Sequence, residues 1–133
     1  MPNKASNATP PREPQTKLHG GSLDLPLVAV LYQTYCSLHE LVLKFPKSQR
    51  YTLGDTCQRE LLAILEAIIS AANASDAEIK IRGLRVASAK LDMLRLLVRL
   101  AKDCKCLSNQ AYLDLESKLH EAGRMLGGWI KSL

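Results

Sequence analysis

The stretch Ile79–Cys106, IKIRGLRVASAKLDMLRLLVRLAKDCKC, contains no proline, and it constrains the fold more than any other part of the chain. Its apolar residues Leu84, Ala87, Leu91, Leu94, Val98 and Ala101 recur at steps of three and four, the spacing of one helical face. Ile81, Arg85, Ser88, Asp92, Arg95, Arg99 and Lys102 follow the same spacing, so a basic stripe runs beside the apolar one. The apolar line predicts what the helix packs on. The basic line predicts the charge of a molecule drawn to its other side.

The flanking segments are helical too. Asp24 is available as an N-cap and Pro26 fits the first turn, where a missing N–H costs nothing. A first helix is predicted from there to Phe45-Pro46, with Val28, Leu31, Tyr35, Leu38 and Val42 on one face. After the link FPKSQRYT, Thr52 and Asp55 resemble a capping pair for a second helix. Leu53, Cys57, Leu61, Ile64, Leu65, Ile68 and Ile69 form its inner face, and it stops near Asn73. Ser75-Asp76-Ala77-Glu78 reads as a full capping box, starting the third helix at Asp76 and carrying it to about Cys104. Gly83 within it costs about 1 kcal/mol relative to alanine unless another element packs closely there.

Ser108 is placed to cap a fourth helix with the most regular stripe of the chain: Tyr112, Leu115, Leu119, Ala122, Leu126, Trp129 and Leu133. The glycines of GRMLGGW have two readings: Gly127-Gly128 end this helix early, or Gly123 and Gly127 share a face where another backbone approaches closely. The second reading implies close helix packing or an oligomer interface, with Trp129 as an apolar anchor beside it. Four helices with short links predict an all-α, antiparallel up-down-up-down four-helix bundle over residues 23–133. Residues 1–22 hold four prolines, Gly20-Gly21 and almost nothing apolar, the pattern of a disordered tail.

No catalytic signature appears. His39-Glu40 and His120-Glu121 do not extend to H-E-x-x-H, because Leu43 and Arg124 stand where the second histidine belongs. There is no G-x-S-x-G elbow and no glycine-rich phosphate loop, so no enzyme activity and no cofactor are expected. Cys36, Cys57, Cys104 and Cys106 lack disulfide-framework spacing and read as reduced cytosolic thiols. No C-x-x-C pair completes a zinc set, so no metal site is expected. No apolar run approaches the ~20 residues that cross a bilayer. The expected location is cytoplasmic.

A net charge of +5 favours acidic partners. Part of the basic stripe can be internal pairing on a solvated face, with Asp92 opposite Arg95 and Asp103 opposite Arg99 at helical spacings. Basic residues still outnumber acidic ones on this helix, and arginines one turn apart can hold phosphate oxygens without reading bases.

FPKSQRYTLGD after the first helix, MLRLLVRLA in the third and GRMLGGWIKSL at the end resemble the family of Avd, the accessory variability determinant of diversity-generating retroelements. The resemblance covers about residues 25–133 and implies a barrel-shaped homopentamer with a basic surface. It implies a non-enzymatic partner of a reverse transcriptase and its template RNA, with DNA a second candidate ligand, that supports mutagenic cDNA synthesis. The family's two arginines of the third helix fall on Arg95 and Arg99; its loop falls on Phe45 to Lys47, Arg50 and Tyr51, and its glycine segment on Gly123 to Gly127. Together with the stripe, this nominates Arg85, Arg95, Arg99, Lys102, Lys47 and Arg50 for nucleic acid or reverse transcriptase, and Gly123, Gly127 and Trp129 for packing. Proteins encoded in intervening sequences of bacterial large-subunit ribosomal RNA genes share the loop and the ending, so the alternative is a structural or protein-binding bundle without a nucleic-acid role.

Overall fold

The structure, a computed structural model, describes residues 24–133; the tail expected over residues 1–22 lies outside them. Among the described residues there are four long helices and no strand: α1 (Pro26–Val42), α2 (Asp55–Asn73), α3 (Ala77–Asp103) and α4 (Asn109–Ser132). They form a helical bundle in which α1 and α3 each pack against α2 and α4. The core is aliphatic, with Leu31, Leu61, Ile64, Leu84, Leu94, Leu119 and Ala122 fully excluded from solvent. Burying a leucine or isoleucine contributes about 1.5–3 kcal/mol, so this set supplies the main cohesion of the bundle.

Helix boundaries differ from expectation where two signals compete. Asp24 does not cap α1. Leu25 occupies the N-cap position without a side-chain bond, and the Asp24 Oδ1 is buried without a partner. Pro26, with no N–H and a preset φ, starts the helix without a polar cap. Thr52 and Asp55 do not act as a capping pair for α2 either. Pro46 opens a helical turn at Lys47–Gln49 that runs through a π-helical segment, Arg50–Gly54, directly into α2. Thr52 therefore lies inside helical structure, its hydroxyl against the carbonyls of Ser48 and Gln49. Gly54 is needed there, because a Cβ would stand 2.7 Å from Val42 Cγ1 and 3.3 Å from buried Phe45.

The Ser75 capping box is displaced by one residue. Asp76 is the N-cap and its carboxylate accepts the Glu78 amide at 3.0 Å, so α3 begins at Ala77. An aspartate in extended conformation reaches the orphan amide itself, and Glu78 falls one place short of the reciprocal position. The Gly83 condition is met: a Cβ would lie 3.1 Å from Ala71 Cβ on α2. Ser108 caps α4 by accepting the Ala111 amide. Gly127-Gly128 do not end that helix, which continues to Ser132 because Trp129 and Ile130 beyond them still pack against the core.

Candidate nucleic-acid interface

The basic stripe of α3 faces the seam with α4. Because α3 buries Leu84, Ala87, Leu91, Leu94, Val98 and Ala101, residues about a quarter turn away are carried to its flank beside α4. There Asp92, Arg95, Leu96, Arg99, Tyr112 and Glu116 line a shallow groove of about 290 Å³.

Arg95 sits at its centre. Its Nε and Nη2 both donate to Glu116 Oε2 of α4, at 3.1 and 2.6 Å. The Asp92–Arg95 pairing expected within α3 is thus replaced by a bond between helices, because Glu116 stands directly opposite and Asp92 contributes only a more distant attraction. The Glu116 hydrogen bond makes the Arg95 guanidinium still harder to deprotonate, with partial burial opposing it. The pair is only partly shielded, so it stabilises the bundle by no more than about 1 kcal/mol.

Arg99 forms the expected pair with Asp103, but loosely, at 3.8 Å with both side chains mostly in solvent. Lys102 places its ammonium 5.1 Å from the Tyr112 ring centre, a cation–π contact that fixes a positive charge at the end of the groove. Arg85 is exposed, ten residues before Arg95, and forms no ion pair among the described residues. The groove thus offers a partly neutralised arginine, a loosely held arginine and a ring-seated lysine. Such donors can hold phosphate oxygens at helical intervals.

The second basic spot is separate. Lys47 is exposed at the first helical position after Pro46, while Arg50 is half-buried and its Nη2 donates to the Phe45 carbonyl at 3.4 Å. No hydrogen bond or ion pair among the described residues joins either of them to the α3–α4 groove. The glycine cluster also divides. At Gly123 a Cβ would make ordinary contact with Leu91 at 3.5 Å, whereas at Gly127 it would meet nothing within 4 Å. Neither glycine marks a tight approach inside this chain. Trp129 is half-buried and, with Leu25, Pro26, Leu27 and Met125, lines an apolar cavity of about 220 Å³.

Two features lie outside the sequence expectations. Glu116 is invisible to helical spacing, since its partner is twenty-one residues away. Ile79, Val86, Met93, Leu96 and Leu100 point outward from α3, and the sequence signal of all but Leu96 is a repeat of seven. The four cysteines are free, and burial pushes the Cys57 thiol up to about 12. No group of three or more metal-ligating side chains occurs among the described residues, and no described helix is long and apolar enough to cross a membrane. No curated protein matches the chain at a significant level. The bAvd-like family matches residues 29–133, from the fourth residue of α1 through α4 with the link before α2 included, and the chain belongs to that family.

Proposed function

We propose that this protein is a non-enzymatic, cytoplasmic accessory factor of a diversity-generating retroelement. It binds the reverse transcriptase and its template RNA through the basic flank of α3 and supports mutagenic cDNA synthesis. One observation carries this reading beyond family membership: eight basic side chains stand against four acidic ones between Asp76 and Lys105, and three of them, Arg95, Arg99 and Lys102, gather at one groove edge. The rest of the described chain holds seven basic against eight acidic residues, so the positive excess of the fold belongs to α3 and its end. A field concentrated on one helix steers polyanions toward it.

The reading includes an antiparallel up-down-up-down course and assembly as a homopentamer. The order of contacts supports the former: Leu91 faces Gly123, Arg95 meets Glu116 and Lys102 lies over Tyr112, so α4 runs back along α3. The test is the pair of changes Arg95→Ala and Arg99→Ala. They are expected to weaken binding of a labelled single-stranded RNA about tenfold or more with helicity unchanged, as loss of two charge-assisted contacts requires. Unchanged binding would contradict the proposal. The Glu116 clamp favours the second reading, a structural bundle whose arginines serve only internal pairing, and that reading predicts no RNA binding even at low salt.

A further inference from the structure

Tyr51 is the most exposed large apolar side chain of the described residues, at 71 %. A tyrosine ring ordinarily gains by burying its faces, yet a single surface apolar group needs no explanation by itself. Two features set this one apart. The first is the backbone that carries it. Tyr51 lies in the π-helical segment Arg50–Gly54, where the Asp55 amide reaches back five residues to the Arg50 carbonyl. The widened turn holds Leu53 and Gly54 against the core and leaves Tyr51 and Thr52 outside. Single π-helical turns recur at functional sites.

The second feature is charge. From Leu41 to Gly54 the chain carries Lys44, Lys47 and Arg50 and no acidic residue. The run is bordered by Glu40 on α1 and by Asp55, which Arg59 engages at 2.8 Å. Arg50 is turned to the Phe45 carbonyl, whereas Lys44 and Lys47 are exposed, and Lys47 stands about one helical turn before Tyr51. No cation lies over the Tyr51 ring among the described residues, in contrast to Tyr112 beneath Lys102. The ring faces are open, with ammonium groups near them.

This spot shares an end of the bundle with the α3–α4 groove. The π-helical segment touches α3. On the antiparallel course proposed above, Gly83 lies against Ala71; Tyr51, twenty residues before Ala71, is then level with Asp103, twenty residues after Gly83. Lys102, at the end of the groove, is therefore at the level of Tyr51.

We infer that Tyr51 is a stacking platform for an unpaired base of the bound RNA, with Lys44 and Lys47 holding phosphates beside it. An exposed ring among lysines suits a single strand, because every base has a π-face and every phosphate a charge. A duplex keeps its bases stacked on one another and gives the ring nothing to hold. The shared level with the groove favours a nucleic acid over an acidic protein surface as the occupant. The inference rests on the RNA-binding reading above and deepens it: at this end the RNA is single-stranded and is held by a ring as well as by charge.

The experiment is fluorescence anisotropy of the full chain with a labelled single-stranded RNA and with a copy carrying abasic spacers at every position. Tyr51→Ala and Tyr51→Leu are expected to weaken binding of the single strand about five- to hundredfold, the loss of one stacked base, while Tyr51→Phe stays within about twofold of the wild type. The salt slope is expected to stay unchanged in the Tyr51 variants, which remove no charge, and to fall by about one in Lys44→Ala/Lys47→Ala. On the abasic strand the wild type and Tyr51→Ala are expected to bind alike. Should Tyr51→Ala lose helicity by circular dichroism, Tyr51→Leu, which keeps an apolar side chain without an aromatic face, decides the matter. No binding by the wild type even at low salt would overturn the RNA reading and the stacking role with it. Binding that Arg95→Ala/Arg99→Ala weakens and the Tyr51 variants leave intact would overturn the stacking role alone. A Tyr51→Leu protein that binds like the wild type, or equal losses on the abasic strand, would contradict stacking as well. Normal RNA binding by Tyr51→Ala with loss of association with the reverse transcriptase would assign this face to a protein partner and overturn the inference.

Discussion

The two halves of α3 carry arginines at similar spacing and hold them in different ways. In the first half, Arg85 stands in solvent and Arg82 only approaches Glu78, at 3.8 Å, while the backbone between them is pressed onto α2 at Gly83. In the second half, Arg95 is bonded across to α4 and Lys102 is seated on Tyr112, while the backbone keeps ordinary distances. The first half is fixed by packing, with its charges left free. The second half has its charges positioned by side chains of the neighbouring helix. A phosphate-binding surface benefits from the second arrangement, because a pre-oriented guanidinium loses less freedom on binding.

The largest effect that would break this comparison is on stability. Gly83→Val adds a branched side chain where a single Cβ already lies 3.1 Å from Ala71, and a cost of about 1–3 kcal/mol is expected in chemical denaturation. The corresponding change in the second region, Gly123→Ala, meets only Leu91 at 3.5 Å and is expected to stabilise α4 by up to about 1 kcal/mol through helix propensity. Equal destabilisation by both would remove the distinction. Gly123→Leu, by contrast, must displace Leu91 and is expected to lower the melting temperature modestly.

A smaller effect sharpens the electrostatic side. Glu116→Gln removes the charge that offsets Arg95 while keeping a hydrogen-bond acceptor, so RNA affinity is expected to rise several-fold and stability to fall by less than about 1 kcal/mol. An unchanged affinity would mean that Arg95 does not face the nucleic acid. The smallest effect near neutral pH concerns Cys57. Its folded-state value is raised above the ordinary 9.0 to about 12, so the folded form binds this proton more tightly than the unfolded form. The contribution is fully present below about pH 9 and declines as the pH rises toward 12, which melting curves across that interval would record.

How far the sequence carries follows from the range of each interaction. The inner faces of all four helices were legible because periodicity is local, and so were the Ser108 cap and the tight site at Gly83. The π-helical lead into α2 was not, since Pro46 starts a helix as well as ending one and Thr52 carries a capping residue's chemistry in either setting. Ser75 and Asp76 are adjacent capping residues, and backbone conformation rather than composition decides between them. The Arg95–Glu116 bond joins two helices, so spacing along either one is silent about it. The outward-pointing apolar residues of α3 are hidden for a different reason: their repeat of seven lies within a helix whose inner face already accounts for the apolar pattern.

The central claim is that the α3–α4 groove holds a polyanion by its charge. Its most direct measurement is the affinity of the full chain for a labelled single-stranded RNA as a function of salt, compared with Arg95→Ala/Arg99→Ala. Binding that weakens steeply with salt is expected, with a log–log slope of several for the wild type and about one to two fewer for the variant, at roughly 0.7 per phosphate contact on single strands. Affinity that ignores salt, or a slope identical in the two proteins, would contradict the account.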